Sequence, residues 1–188
     1  MNCAILVIDM QNDFVEEGGV LCVAVARATV PTIQKLISHG RTKNWHIIHI
    51  IREHHFSGCD VDKPRKVLFE GGKKGYCVPG TWGHKIIAEL TPKEDDIIIK
   101  KRRNSGFFQT NLDSVLRRLC VQTVIIAGTQ YPNCIRGTAV DAMSYDYRSI
   151  VCTDACSAQS EQIATANIYD MQNMGIECVP LSKILEMA

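Results

Sequence analysis

Three chemically reactive side chains each follow a short apolar run of the chain. They are Asp9, which follows residues 4–8, Lys101, which follows residues 97–99, and Cys134, which follows residues 125–127 through a short loop. A carboxylate, an ammonium and a thiol together form a set for acyl transfer. The thiol attacks a carbonyl, the carboxylate moves its proton, and the ammonium stabilises the developing charge.

Each of these residues also has an ordinary structural explanation. An aspartate after a strand is often a helix N-cap, Lys101 is one member of a basic tract, and cysteine is common in protein cores. The arrival of all three at the ends of apolar runs favours chemistry over these explanations. Cys134 also lies near the start of a predicted helix that begins at Asn133, where the helix dipole favours a thiolate.

The rest of the chain alternates apolar runs with helical patterns. The runs that predict strands are 4–8, 45–51, 96–99, 123–127, 149–152 and 176–179. The patterns that predict helices are 26–39, 81–90, 111–119, 133–145 and 161–174, the last ended by Gly175. Thr110 is the predicted N-cap of the third helix, and Pro31 fits only near the first turn of the first helix. Residues 52–80 have no clear period, and a connection of that length is usually functional or partly mobile.

The continuous hydrophobicity of the predicted strands is typical of parallel sheets that are covered on both faces. Repeated strand–helix–strand order adds right-handed crossovers. The sequence therefore predicts one α/β domain over 1–188, with three α-β-α layers around an open, mostly parallel six-stranded sheet. Ligands bind beyond the carboxyl ends of the strands in such sheets, so we expect the three reactive residues to meet at that edge.

Composition narrows the classes of partner. The chain has 188 residues, of which 21 are Lys or Arg and 20 are Asp or Glu, so its formal net charge is +1. This balance provides no long-range field for nucleic acid or an anionic membrane, and no run approaches the ~18 apolar residues of a membrane span. The chain has nine cysteines and lacks a Cys-x-x-Cys pair and a signal-peptide pattern. These features predict reduced thiols in a cytoplasmic protein.

Five stretches of the chain carry a stronger signal when they are taken together. They read VIDMQNDF at 7–14, PGTWG at 79–83, IIKKRRNSGF at 98–107, GTQYPNC at 128–134 and IRGTAVDA at 135–142. In this order and spacing they resemble the isochorismatase-like cysteine hydrolase family. That family includes nicotinamidases, carbamoylsarcosine amidohydrolases, and biuret and ureidoacrylate hydrolases. The resemblance extends over nearly the whole chain.

The resemblance implies an Asp–Lys–Cys triad, which falls on Asp9, Lys101 and Cys134. Lys101 rather than Lys100 matches the family's pattern, because it stands four residues before Ser105. The resemblance also implies a hydrolase that works through a thioester on the cysteine, and an assembly of identical subunits, either a dimer or a tetramer.

The family's non-proline cis peptide would fall at Thr129–Gln130 in this chain. The backbone N–H groups of Gln130 and Cys134 would then form the oxyanion hole. Such donors stabilise the negative charge that develops when a nucleophile adds to a carbonyl.

Two departures within the family narrow the expected reaction. Isochorismatases proper cleave a vinyl ether and lack the nucleophilic cysteine, so Cys134 favours hydrolysis of a C–N bond. Nicotinamidases bind a metal through an Asp-Trp-His stretch, but here Arg52 stands where the metal-binding Asp would be. We therefore expect an amidohydrolase without metal or other cofactor, acting on a small amide, carbamoyl or ureido compound. A nicotinamidase-type hydrolase is the alternative.

Four further residues are predicted to contact the substrate. Phe14, Trp82 and Phe107 lie within the matched motifs and near strand ends, and ordinary packing is an equal explanation for each. Arg52 would meet a substrate carboxylate, or else pair with Asp60 or Asp62.

A function of another class is a catalytically inactive, flavodoxin-like binding module. A phosphate receiver of that kind needs an acidic cluster, whereas the third strand ends in two lysines. A dinucleotide site needs Gly-x-Gly-x-x-Gly after the first strand, where Asp-Met-Gln-Asn-Asp stands instead.

Overall fold

The computed structural model describes residues 2–187 of the chain. Its strands are β1 (Cys3–Ile8), β2 (His46–Arg52), β3 (Ile97–Lys101), β4 (Thr123–Thr129), β5 (Arg148–Ser157) and β6 (Glu177–Val179). Its helices are α1 (Asn12–Val15), α2 (Ala26–Thr42), α3 (Leu112–Arg118), α4 (Arg136–Ser144), α5 (Glu161–Asn173) and α6 (Leu181–Leu185). Short 3₁₀ turns lie at Lys63–Leu68 and Ala88–Leu90, and a π-helical turn lies at Tyr131–Ile135.

All six strands run parallel in one sheet, in the order β3-β2-β1-β4-β5-β6. The chain begins in the middle of the sheet at β1, builds outward through β2 and β3, and then returns to the other side of β1 with β4. The direction of building therefore reverses between β1 and β4, which is the place where open parallel sheets bind ligands. The predicted α/β fold with a parallel six-stranded sheet is confirmed.

Alternate residues of β1 face two separate cores. Ile5 and Val7 belong to the core under α2 and α6, whereas Leu6 and Ile8 belong to the core under α3, α4 and α5. Helices therefore cover both faces of the sheet and make the three predicted layers. Because neither face of β1 meets water, every position of the strand is apolar, which explains its unbroken hydrophobic run.

Four of the five predicted helices are present, as α2, α3, α4 and α5. The hydroxyl of Thr110 accepts a bond from the N–H of Leu112 at 3.2 Å, although Asn111 occupies the cap position itself. The sequence predicted Pro31 near the first turn of its helix, but it lies in the second turn of α2. Burial of Ile33 and Leu36 on the core offsets the hydrogen bond that the proline cannot donate.

The predicted helix over 81–90 is wrong. Apart from two single-turn bonds within the segment, its backbone pairs with the chain after β1. The N–H of Asp13 donates to the carbonyl oxygen of Gly83 at 3.0 Å, and Gln11 forms an antiparallel bridge with Ile86. Only one 3₁₀ turn remains, at the end of the segment. Long-range backbone pairing has therefore overridden a local helical pattern.

No helix within residues 2–187 is long and apolar enough to cross a membrane. All nine cysteines lie within the described residues and are free thiols there.

Gly128 of β4 provides a test of how closely β1 and β4 must approach. Its φ is +121°, and a Cβ atom there would lie 2.1 Å from the carbonyl oxygen of Ile8. We expect Gly128→Ala to lower the free energy of unfolding by more than about 3 kcal/mol, because both the backbone conformation and the space exclude a side chain. Urea denaturation measures the change.

Gly71→Ala is the matched control, because Gly71 has a φ of +64° but open space around it. We expect it to cost only about 1–2 kcal/mol, the penalty for a side chain in the left-handed region. Equal losses for the two variants would contradict a role for the close contact between β1 and β4.

Candidate active site

The structure brings Asp9, Lys101 and Cys134 together at the carboxyl edge of the sheet. Nζ of Lys101 lies 2.7 Å from Oδ2 of Asp9 and 3.3 Å from Sγ of Cys134. The three residues are 1%, 1% and 6% exposed, respectively. A carboxylate, an ammonium and a thiol are thus in mutual contact and shielded from bulk water.

Asp9 and Lys101 are positioned by the ends of their strands. Asp9 directly follows β1, has a φ of +53°, and donates its N–H to the carbonyl oxygen of Ile50 in β2 at 2.8 Å. Lys101 is the last residue of β3, and β2 lies between β3 and β1. A long side chain is therefore needed to span the end of β2, and the lysine ammonium also donates to the carbonyl oxygen of Arg103 at 3.2 Å.

Cys134 lies in the π-helical turn that joins β4 to α4. The expected regular helix from Asn133 is corrected here, since α4 begins two residues after the cysteine, at Arg136. The Thr129–Gln130 peptide is cis, as predicted. The N–H groups of Asn133 and Ile135 both donate to the carbonyl oxygen of Gln130 at 3.2 Å, and these bonds hold the turn together.

The surroundings of Cys134 favour a neutral thiol in the resting protein. Burial raises the pKa of the thiol and the Asp9 carboxylate raises it further, against the opposing effects of Lys101 and Arg52. These surroundings oppose the thiolate that was expected from a helix N-terminus, so a nucleophilic role for Cys134 would require a base. Oδ1 of Asp9 has no N–H or O–H partner within residues 2–187, so it is available to take the proton.

A cavity of about 400 Å³ opens onto these residues, within the range of small-molecule sites. Of the triad, Asp9 and Cys134 line it directly, and so do Phe14, Arg52 and Gln130. The structure therefore places two of the predicted substrate-contacting residues, and both residues of the predicted oxyanion hole, on the wall of one cavity.

Arg52 is the last residue of β2 and is only 3% exposed. Its Nη2 atom lies 3.4 Å from Sγ of Cys134 and 3.4 Å from Oδ1 of Asn104. Of the two carboxylates considered from the sequence, Asp62 is within reach, 3.9 Å from Nη1. Burial disfavours the charge of Arg52, but the Cys134 and Asp9 groups outweigh it and raise the pKa of the guanidinium. Arg52 is thus a buried cation beside the thiol.

Trp82 and Phe107 are not among the residues that line this cavity. Trp82 is 53% exposed and lies over a shallow surface depression beside Asn12. Phe107 is buried and stacks on Tyr145 and Tyr147, with ring centroids 5.3 and 6.0 Å away. Trp82 and Phe107 therefore lie in the matched motifs but do not line the cavity beside Cys134.

Sequence reasoning missed several residues of the cavity wall. Arg65 and Tyr76 come from the long aperiodic connection after β2, and Asn104 and Gln159 come from loops after β3 and β5. The length of the connection was the available signal, and its contribution to the cavity agrees with the expectation of a functional segment. No spacing rule could show which of its residues turn inward.

A metal of the nicotinamidase type does not fit the residues present. Residues 2–187 contain no group of three His, Cys, Asp or Glu side chains placed to hold an ion. Glu53 instead pairs with His84 at 3.1 Å and with Lys100 at 2.9 Å. His54 is fully buried, and burial together with the Arg52 charge lowers its pKa to about 4. The guanidinium of Arg52 further disfavours a cation here.

Comparison with known proteins agrees with this architecture. The family model for the isochorismatase domain matches residues 3–182. A "Probable inactive nicotinamidase" of Arabidopsis thaliana is 43% identical over 94% of this chain and 91% of its own length. A ureidoacrylate amidohydrolase of Rhizobium rhizogenes is 27% identical over 90% of this chain and 76% of its own length.

The same similarity holds in three dimensions. The crystal structure of an isochorismatase family protein from Desulfovibrio vulgaris superposes with a TM-score of 0.94 at 48% identity. The match covers 97% of this chain and 96% of that one. Motifs, sheet order and whole-chain similarity all lead to the same assignment. The chain belongs to the isochorismatase family, which has amidohydrolases among its members.

Proposed function

We propose that the protein is a cysteine amidohydrolase that cleaves the C–N bond of a small amide, carbamoyl or ureido compound. The observation that carries this proposal is the position of Nζ of Lys101, 2.7 Å from Asp9 and 3.3 Å from Cys134, beside a cavity of about 400 Å³. The amidohydrolase activity in the name of the Rhizobium relative supports the same bond class.

In the first half of the reaction the substrate acylates Cys134. Oδ1 of Asp9 takes the thiol proton while Sγ forms a bond to the carbonyl carbon. The carbonyl oxygen becomes an oxyanion, which the N–H groups of Gln130 and Cys134 stabilise. The oxyanion then collapses, the C–N bond breaks, and Asp9 returns the proton to the leaving nitrogen. The products are ammonia or an amine and a thioester on the enzyme.

In the second half water releases the acyl group. Asp9, ionised again, takes a proton from water as the oxygen adds to the thioester carbonyl. The C–S bond then breaks, and Asp9 gives its proton to the sulfur. The carboxylate and the neutral thiol are restored, and the acid leaves.

Lys101 has an electrostatic role in this scheme. Its ammonium contacts both Asp9 and the sulfur, so it stabilises whichever of them carries the negative charge during proton transfer. Because the pair is buried, this stabilisation is stronger than it would be in water.

Nicotinamide is a less suitable substrate than other small amides. The residues near Arg52 do not hold the metal that the resemblance assigns to nicotinamidases. The Arabidopsis relative is named a probable inactive nicotinamidase, which gives no support to nicotinamide as the substrate. We therefore assign the site to amides, carbamoyl compounds and ureides other than nicotinamide.

The first prediction concerns Cys134→Ala. We expect this variant to lose at least about 10⁴-fold in kcat, because no other group can form the thioester. The assay is ammonia release from nicotinamide, N-carbamoyl amino acids, biuret, ureidoacrylate and maleamate, with and without a chelator. We expect activity on at least one of the last four compounds that the chelator does not change.

Cys59→Ala is the matched control, because Cys59 is an exposed thiol outside the cavity. It should retain full activity. Substantial hydrolysis by Cys134→Ala would remove the cysteine from the mechanism, and activity lost to the chelator would overturn the metal-free assignment.

The second prediction separates the charge of Asp9 from its role as a base. We expect Asp9→Asn to abolish turnover and yet to speed alkylation of Cys134 by iodoacetamide at pH 7–8. The negative charge that raises the thiol pKa is lost, while Lys101 and Arg52 remain. The thiolate fraction below the pKa rises about tenfold for each unit by which the pKa falls.

Mass spectrometry of the Cys134 peptide measures the alkylation rate. Asp113→Asn is the control, because Asp113 is a partly exposed carboxylate that pairs with Arg117 and Tyr147 and does not line the cavity. If alkylation slowed in Asp9→Asn together with turnover, the Asp9 charge would not be what holds the thiol neutral.

A further inference from the structure

Two buried polar groups on the cavity wall have no partner. Nε of Arg52 and the hydroxyl of Tyr76 make no hydrogen bond within residues 2–187. The two residues are only 3% and 2% exposed, and both line the cavity beside Cys134. A buried donor without an acceptor is costly in free energy, so two on one wall indicate that a ligand supplies the acceptors.

The charge around this wall is positive. Within the described residues, Asp9 is the only carboxylate that lines the cavity, and the ammonium of Lys101 already pairs with it at 2.7 Å. Asp62, outside the wall, is shared by three guanidinium groups: Arg65 at 2.7 Å, Arg103 at 3.3 Å and Arg52 at 3.9 Å. One carboxylate does not neutralise three cations, so an anion would be attracted to the cavity.

The two free groups are donors at neutral pH. Burial raises the pKa of Tyr76 to about 12, with Arg52 opposing the shift, so the phenol keeps its proton. The guanidinium keeps its charge. Its Nη1 atom already donates to the carbonyl oxygen of Arg102 at 3.1 Å and its Nη2 atom to Oδ1 of Asn104 at 3.4 Å, so Nε is the donor that is left. One N–H of a cation and one hydroxyl, both donors, are suited to the two oxygens of a carboxylate.

We propose that Arg52 and Tyr76 bind a carboxylate of the substrate, so that the enzyme acts on small amides or ureides that carry a carboxylate close to the scissile bond. This inference rests on the proposed function for the reaction itself. Binding of a carboxylate at Arg52 and Tyr76 can nevertheless be measured without turnover.

The position of Arg52 limits the length of the substrate. Nη2 of Arg52 lies 3.4 Å from the sulfur that would attack the carbonyl, so a carboxylate on this residue lies only a few bonds from the reacting carbon. N-carbamoyl α-amino acids and monoamides of short dicarboxylic acids have this spacing. Arg65, which lines the same cavity and is partly exposed, adds positive charge to the wall.

Matched substrate pairs test the proposal. N-carbamoylglycine is compared with isobutylurea, and succinamate with 4-methylpentanamide, since each neutral compound replaces the carboxylate with an isopropyl group of similar shape. We expect the wild-type enzyme to favour the carboxylate member of at least one pair by about 100-fold in kcat/KM. Equal rates within both pairs would overturn the proposal, while any C–N hydrolysis would still support the proposed function.

Two variants test whether Arg52 and Tyr76 cause the preference for the carboxylate substrate. We expect Tyr76→Phe to reduce the carboxylate-to-neutral ratio about tenfold, and Arg52→Gln to reduce it about 100-fold. A general effect of Arg52 on the thiol cancels in this ratio, because both members of a pair meet the same nucleophile. Tyr169→Phe is the matched control, since Tyr169 is 66% exposed on α5, and it should leave the ratio unchanged. An equal loss on both members in Tyr76→Phe would contradict the assignment.

Binding to the Cys134→Ala protein separates this inference from the proposed function. Calorimetry should detect succinate binding that is at least tenfold tighter than binding of neutral succinamide, and Tyr76→Phe should remove most of that difference. If the wild type hydrolyses no amide but succinate still binds in this way, the carboxylate site stands and the proposed function fails. Absence of preferential succinate binding would overturn the carboxylate site.

Discussion

The buried ion pair between Lys101 and Asp9 is the constraint on which the site depends. Both side chains are almost completely removed from water, and each loses several kcal/mol of hydration in that transfer. A contact of 2.7 Å and a further bond to a backbone carbonyl offset part of that cost. Removing either partner would leave an uncompensated buried charge, which typically costs about 3–5 kcal/mol. The ends of β1 and β3 must therefore keep one relative position.

The same constraint determines the chemistry available to Cys134. The thiol lies against the ammonium, and Asp9 and burial together keep it protonated in the resting protein. The cysteine is therefore not activated by a low pKa in advance. In the proposed mechanism it becomes nucleophilic when its proton passes to Asp9, and Lys101 contacts both groups. The cost of burying the charges thus also provides the means to move one proton between them.

Arg52 extends this charged region toward the cavity. A second cation beside the Lys101–Asp9 pair leaves the wall positive, and Asp62 compensates it only partly, at 3.9 Å. At the position where the resemblance assigns an acidic metal ligand to nicotinamidases, this chain has a group that repels metal ions and attracts anions. In our proposal, this one residue at the end of β2 changes the class of ligand that the sheet edge accepts.

The sequence predicted most of the fold because its strongest patterns are local. A strand covered on both faces must be apolar throughout, so β1, β2 and β4 are visible as unbroken runs. The order of strands and helices then implies a parallel sheet, and with it the edge where Asp9, Lys101 and Cys134 meet. The helix over 81–90 was wrong because its backbone pairs with residues 11–13, a partner that no local pattern reveals.

By itself the sequence determined the parallel sheet, the three reactive residues and, through the matched motifs, the cis peptide before Cys134. Only the tertiary structure decided which side chains of the long connection after β2 face the thiol. It placed Tyr76 and Arg65 on the cavity wall and left Trp82 and Phe107 outside it. The reason is physical: strand periodicity follows from burial within one segment, whereas the direction of a loop side chain depends on every element packed around it.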